Sequence, residues 1–250
     1  MPRFFEINEQ LIRSDDVLSL LDRYQMLPQL AQEIIVDRAI ADIEMEPDDR
    51  TWAYTRFYQF YQLDTPEQQE AWRKHRGITP EQLEIWITRE WKVNRFKEKM
   101  WGTQIQRDFL QRKDQLDRVV YSLLRTQKPG LAKELYFRIQ AGETSFAEAA
   151  QEYSEGPEAQ SGGMVGPVEM SQPHPVLARI LMKSQVGQLF VPISLPPWTI
   201  LLRLEQRFSA HLDEAMHQRL LDDRFQQWIQ SQRITCTILQ TDYDPKPTFH

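Results

Sequence analysis

The strongest constraint in this chain is a change of hydrophobic period at Leu116. Before it, Leu83, Ile87, Trp91, Phe96, Trp101, Ile105 and Phe109 recur at helical spacing, with the charged stretch KVNRFKEK set between them as a solvated face. After it, DRVVYSLLR is short, β-branched and bounded by charge, which predicts a strand. One element cannot carry both patterns, because helix faces repeat every 3.6 residues and strand faces every two. A domain boundary is therefore expected between residues 116 and 117, and the fold class is α+β.

Upstream of the switch the signals are helical. MPRFFEINEQLIR predicts a short hairpin-like entry, and Ser14 with Asp15 and Asp16 offers an N-cap and an acidic first turn to a helix carrying Val17, Leu20, Leu21 and Tyr24. A second helix follows Pro28, with Leu30, Ile34, Ile35, Ala39 and Ile43 on one side, and Pro47 closes it. DDRTWAYTRFYQFYQL concentrates Trp52, Tyr54, Phe57, Tyr58, Phe60 and Tyr61. Arginine and lysine are sparse among them, so these rings are expected in a core rather than on a platform that stacks bases. Thr79 as N-cap, Pro80 at the first helical position and Glu81 and Glu84 near the positive end of the dipole then open the long helix.

Downstream, the strand is followed by a helix over 128–141 ended by Gly142, and by another over 145–154 with Ser145 as N-cap and Glu148 three residues on. The loop GPEAQSGGMVGPV comes next, then a helix near 175–183, then QLFVPI and WTILLRLEQR as strand-like runs separated by SLPP. A last helix, about 211–232, carries Leu212, Met216, Leu220, Phe225, Trp228 and Ile229. Its apolar face needs a partner, and the N-terminal helices are the expected one. The tail TDYDPKPTFH holds little apolar material and is expected to fray. The expected domains are a helical one over 1–116, an α/β one over 117–207, and a C-terminal helix and tail over 208–250.

Composition narrows the function classes. A hydrophobic content of 41% with seven Trp, eight Tyr and twelve Phe supports a folded chain, and a formal charge of −6 disfavours nucleic acid and anionic membranes as partners. The N-terminal stretch lacks the apolar core of a secretory signal, and WTILLRL is far shorter than the roughly 20 residues of a membrane helix, so the expected location is cytoplasmic. Cys236 stands alone, which excludes an internal disulfide and a cysteine-rich metal site. His211 and His217 are six apart and fall on different helix faces, and His75 and His250 are remote from them, so no metal is expected. KPG and SGGMVG lack the glycine-lysine order of a phosphate loop, and no cofactor is expected.

The order ELYFRIQAGETSFAEAAQEYSEGPEAQSGGMVGPV, then HPVLARILMKSQVGQLFVPI, then WTILLRL resembles the parvulin-type (PpiC-like) peptidyl-prolyl isomerase domain over about residues 117–207. The flanking helices resemble, more weakly, the layout of SurA-type chaperones. Gly162, Gly163 and Gly166 suit such a domain by allowing positive φ and close backbone approach beside a groove, and Pro192 suits a strand end. The resemblance implies a rotamase fold and two histidines facing each other across the groove. Their positions fall on Ser122 and Thr199, and the neighbouring Cys or Asp position on Met164. A hydroxyl pair of Ser122 and Thr199 could keep a weaker bridge under the groove. Leu177 takes the place of the groove phenylalanine, and His174 and Met182 complete the expected substrate-binding set.

The resemblance thus implies action on unfolded or proline-containing polypeptide, as an isomerase with weak or no turnover. The alternative is a non-catalytic peptide-binding chaperone or adaptor, and the helical domain could also dock a protein assembly partner.

Overall fold

The structure is a computed structural model that describes residues 4–7 and 10–232. Cys236, His250 and the TDYDPKPTFH tail lie outside the described residues. The chain divides into two compact units, one formed by residues up to Thr103 together with those from Leu221 on, the other by Gln104–Leu220.

The first unit opens with a hairpin of β1 (Phe4–Ile7) and β2 (Gln10–Arg13), antiparallel in register Phe4↔Arg13. Helices α1 (Ser14–Arg23), α2 (Leu27–Ile40), α3 (Pro47–Phe60), α4 (Pro66–His75) and α5 (Pro80–Leu116) follow. Proline stands in the first turn of each of the last four, where its missing N–H leaves no helical bond unmade. Helix α1 starts on Ser14 itself, behind Arg13 at the N-cap, so Ser14 is not the cap that its position suggested. Helix α4 has no counterpart in the hydrophobic pattern and is set by its ends. Thr65 and Gln68 form a reciprocal capping box, and Arg73, Lys74 and His75 lie at the negative end of the dipole.

The core of this unit joins α2, α5 and α9 (Glu214–Ser231). Val36, Ile40, Ile43 and Phe96 pack with Phe225, and Trp101, Trp228 and Ile229 close over them. Phe225 and Trp228 stack at 5.6 Å, and Lys97 Nζ reaches Asp222 at 2.6 Å. The C-terminal helix therefore completes the core of the N-terminal helices, as expected of an apolar face in need of a partner. A second cluster places Ala53, Leu83 and Ile87 beside Phe57 and Trp72, whose rings meet edge-to-face at 5.4 Å. The aromatic run of α3 is only in part a core. Trp52 is 53% and Phe60 78% exposed, because one apolar flank of a helix cannot bury rings spread around its circumference.

The second unit is a four-stranded antiparallel sheet of order β4-β3-β6-β5. Its strands are β3 (Arg118–Thr126), β4 (Met164–Glu169), β5 (Ile193–Leu195) and β6 (Trp198–Phe208), and its helices are α6 (Pro129–Ala141), α7 (Phe146–Tyr153) and α8 (Pro175–Lys183). Gly142 ends α6 in the left-handed conformation, and Ser145 with Glu148 forms the expected capping box on α7. QLFVPI is not a strand as a whole. Leu189 makes an isolated bridge to Arg203, and pairing resumes only at Ile193, just past Pro192, which has no N–H to give to a ladder.

Replacing Phe225 with Ala removes the ring that joins α9 to α2 and α5. Thermal unfolding followed by circular dichroism should show a loss of about 3–5 kcal/mol, the range for a buried aromatic. An unchanged transition would mean that α9 does not complete this core.

Candidate functional site

Side chains of the central strands alternate between two covered faces. On one face Tyr121 and Leu123 of β3 and Ile200, Leu202 and Leu204 of β6 pack with Leu177, Ala178 and Leu181 of α8. On the other, Leu124 and Leu201 lie under Leu135 of α6 and Phe146, Ala149 and Ala150 of α7. Ser122 and Thr126 share the parity of Leu124 and so belong to the α6–α7 face. The cross-strand partners Met164, Arg203 and Thr199 belong there with them, through the pairs Ser122↔Met164, Ser122↔Arg203 and Thr126↔Thr199.

This register decides the fate of the expected site. Ser122 and Thr199 share a face but do not oppose each other. Four residues of β3, roughly 13 Å of strand, separate Ser122 from the partner of Thr199, and the Leu124↔Leu201 pair fills the gap. The expected hydroxyl bridge is not formed. Ser122, 3% exposed, instead donates to Glu205 Oε1, which also accepts from Arg203 Nε at 2.7 Å, and the Arg203 guanidinium lies 5.2 Å from the Phe146 ring centre. Met164 lies next to Ser122 on edge strand β4 and is 56% exposed.

The expected substrate-binding set is on the other side. Leu177 is buried in the α8 core and Met182 packs half-buried against it, because the spacing of Leu177, Ala178 and Leu181 turns that flank of α8 onto the sheet. His174 is the N-cap of α8, its Nδ1 accepting from the Val176 N–H at 3.3 Å. The sheet thus divides the six residues into two groups, and they do not line one trough.

A concave site nevertheless exists, and it includes Thr199. A cavity of about 400 Å³ is lined by Pro129, Lys133, Tyr136 and Phe137 of α6, by Val191 and Pro192, by Ser194 of β5 and by Thr199 of β6. Lys133, Tyr136 and Phe137 stand at i, i+3 and i+4 and so share one flank of α6, while Ala132 and Leu135 are buried. Tyr136 and Phe137 meet edge-to-face at 5.3 Å, and Phe137 remains 54% exposed. The β5–β6 register sets Ser194 opposite Thr199, which adds two hydroxyls to a hollow whose other lining residues, Lys133 apart, are prolines, aromatic rings and Val191. Such a hollow can seat an apolar or prolyl ring and offer hydrogen bonds to the backbone beside it. The signal for this hollow in the sequence is the adjacent aromatic pair Tyr136 and Phe137 in ELYFRIQ, of which Tyr136 also packs against the Leu135–Phe146 core.

The glycine-rich loop is tied to the end of β3. Arg125 makes a two-pronged contact with Glu158 at 2.8 and 2.7 Å, Ser154 Oγ donates to the same carboxylate, and Thr126 Oγ1 donates to Glu155. The Glu155 N–H reaches the Arg125 carbonyl at 2.9 Å. At Gly163, with φ of +83°, an added Cβ would come within 2.7 Å of the Leu123 carbonyl oxygen. At Gly166, with φ of +118°, it would come within 2.5 Å of that of Val119. Positive φ and close approach, both expected of these glycines, are present. Burial pushes the Glu158 carboxyl up, but hydrogen bonds from Arg125, the backbone and Ser154, with the guanidinium charge, outweigh it and hold the group below its ordinary 4.5. Burial likewise pushes the Tyr121 phenol up.

An antiparallel four-stranded sheet with two helices on one face and one on the other defines a small α+β domain. Residues 125–206 match the Rotamase family, described as the PPIC-type PPIase domain. The chain carries a parvulin-type domain. It is also 33% identical over 113 residues to Chaperone SurA of Pseudomonas fluorescens Pf-5, covering 41% of this chain and 26% of that protein. Over 111 residues it is 33% identical to Chaperone SurA of Alkalilimnicola ehrlichii, covering 40% and 25%. The matched region therefore spans about a quarter of these curated relatives. Among solved structures, peptidylprolyl isomerase PrsA from Bacillus cereus aligns with 91% of this chain and 85% of its own at a TM-score of 0.46 and 19% identity.

Because the folded-state value of Glu158 is depressed, its stabilising contribution is fully present above the ordinary carboxylate range and is lost as pH falls through the folded value. Glu158→Gln should cost about 1–3 kcal/mol at neutral pH, since Arg125 loses its charged partner while remaining partly open to solvent. Denaturant unfolding between about pH 7 and 3 should show a shallower acid loss in the variant than in the parent. Parallel pH profiles would exclude this role.

Proposed function

We propose that the chain is a parvulin-type peptidyl-prolyl cis-trans isomerase acting on unfolded or proline-containing polypeptide, with slow turnover. The observation that carries this reading is the PPIC-type match over 125–206, the residues that supply most of the sheet, α6, α7 and α8. The reaction needs no nucleophile or metal. Its barrier of roughly 18–20 kcal/mol is the partial double bond of the imide. Gripping the prolyl ring in an apolar hollow, stripping water from its carbonyl and donating hydrogen bonds to the twisted amide all lower it.

The hollow between α6, β5 and β6 offers those elements: the Tyr136 and Phe137 rings, Val191 and Pro192 for the grip, and the hydroxyls of Ser194 and Thr199 for the backbone. Slow turnover follows from the replacement of the facing histidines and from the engagement of Ser122 with Glu205. The cytoplasmic setting expected from the sequence is part of the proposal, and cell fractionation tests it: recovery of the chain elsewhere removes it.

A second reading, in which the chain holds polypeptide without turning it over, draws on the helical unit. Trp52, Phe60 and Trp86 are each at least half exposed, a larger apolar display than a self-contained helical unit needs. Relatives that carry the name chaperone support it. The same display could instead dock an assembly partner.

Exchange NMR on a proline tetrapeptide separates these readings. An isomerase raises the cis–trans exchange rate above that of the free peptide, and Phe137→Ala should return it at least tenfold toward the uncatalysed value, equivalent to about 1.4 kcal/mol of barrier. A rate equal to uncatalysed rotation in the parent chain removes the enzymatic reading. Suppression of client aggregation that disappears in the Trp52→Ser, Phe60→Ser, Trp86→Ser chain then identifies holding by the helical unit.

A further inference from the structure

We infer that the hollow selects polypeptide in which an acidic residue stands one or two positions from the apolar or prolyl residue it seats. The inference rests on the reading of this hollow as the polypeptide site and adds its selectivity. Lys133 is the charged residue of the lining, in a chain whose net charge is −6, so its cation is not part of a generally basic surface. Among the described residues Lys133 has no ion-pair partner. Its neighbour Glu134 is turned to Arg138, at 3.9 Å, and Glu155 is held by Thr126 and the Gln127 N–H.

The spacing fits an extended chain. Lys133 lies about one helical turn from Phe137, roughly 6 Å along the axis, and an extended peptide advances about 3.3–3.6 Å per residue. A ring seated against Tyr136 and Phe137 therefore leaves the carboxylate of a residue one or two places away within reach of the Lys133 ammonium. Ser194 and Thr199, on β5 and β6, can bond the peptide backbone whatever its side chains are, so they hold the chain without contributing to charge selection. A basic residue at the same place would meet an ammonium, and the like charges would disfavour it.

Fluorescence anisotropy of the full chain with two labelled peptides tests this, one containing Ala-Glu-Pro-Phe and the other Ala-Lys-Pro-Phe. The glutamate peptide should bind about twofold to fivefold more tightly at low salt, the range of a partly exposed ion pair, and the advantage should shrink as salt is added. Lys133→Ala should level the two affinities and Lys133→Glu should invert their order. Both changes place a residue that favours helix on an exposed flank of α6. Equal affinities in the parent chain, with binding lost in Phe137→Ala, would overturn the selectivity and leave the hollow as the site. A preference that persists in Lys133→Ala would place the selection elsewhere and overturn it too. Binding of neither peptide would remove the polypeptide-site reading itself.

Discussion

The pairing of β3 with β6 is the constraint on which the second unit depends. These are the two inner strands of the sheet, and their continuous register from Tyr121↔Leu204 to Thr126↔Thr199 commits every side chain to one face or the other. A shift of one residue would exchange the Leu123–Leu202 core for the Leu124–Leu201 core and expose both to the wrong helices. The bulge between Val120 and Tyr121 is tolerated because it lies before this stretch. Both helical layers, the glycine loop and the hollow are arranged on that ladder.

The loop and the hollow use the ladder differently. Residues 154–163 are held to the C-terminal end of β3 by charged and backbone hydrogen bonds centred on Arg125 and Glu158, and they approach the strand so closely that Gly163 has no room for a side chain. The hollow lies beyond the other partner strand, where β5 is only three residues long and follows a proline. A short strand preceded by Pro192 leaves the flank of α6 uncovered, so Phe137 and Val191 stay accessible instead of being sealed by further pairing. The β4 edge of the sheet is thus closed by ions and glycines, whereas the β5 edge leaves the hollow open.

Much of the fold was legible because its signals are local. The capping box at Ser145 and Glu148, the stop at Gly142, the helix at 175–183 and the period change after Leu116 each follow from residues within one or two turns of one another. Helix α4 escaped because its stability comes from its two ends and not from an apolar stripe. The strand expected over QLFVPI was shortened by a proline whose effect depends on what lies alongside. The site was legible in part. Thr199 falls in the hollow, whereas Ser122 binds Glu205 and Leu177 of α8 is sealed against the opposite face of the sheet, since position in a family pattern does not state which face of a twisted sheet a side chain takes.

By itself the sequence determined most of the helical and extended segments and where glycine is required, because periodicity, capping and turn chemistry act between near neighbours in the chain, and the resemblance of its motif order implied a small rotamase-type domain between helices. Only the tertiary structure decided that Ser122 and Thr199 stand apart, that Tyr136 and Phe137 come to face Pro192 and Ser194, and that Phe225 closes the core begun by Val36 and Phe96. Those outcomes depend on strand register and on contacts between residues tens to nearly two hundred positions apart, which no local pattern encodes.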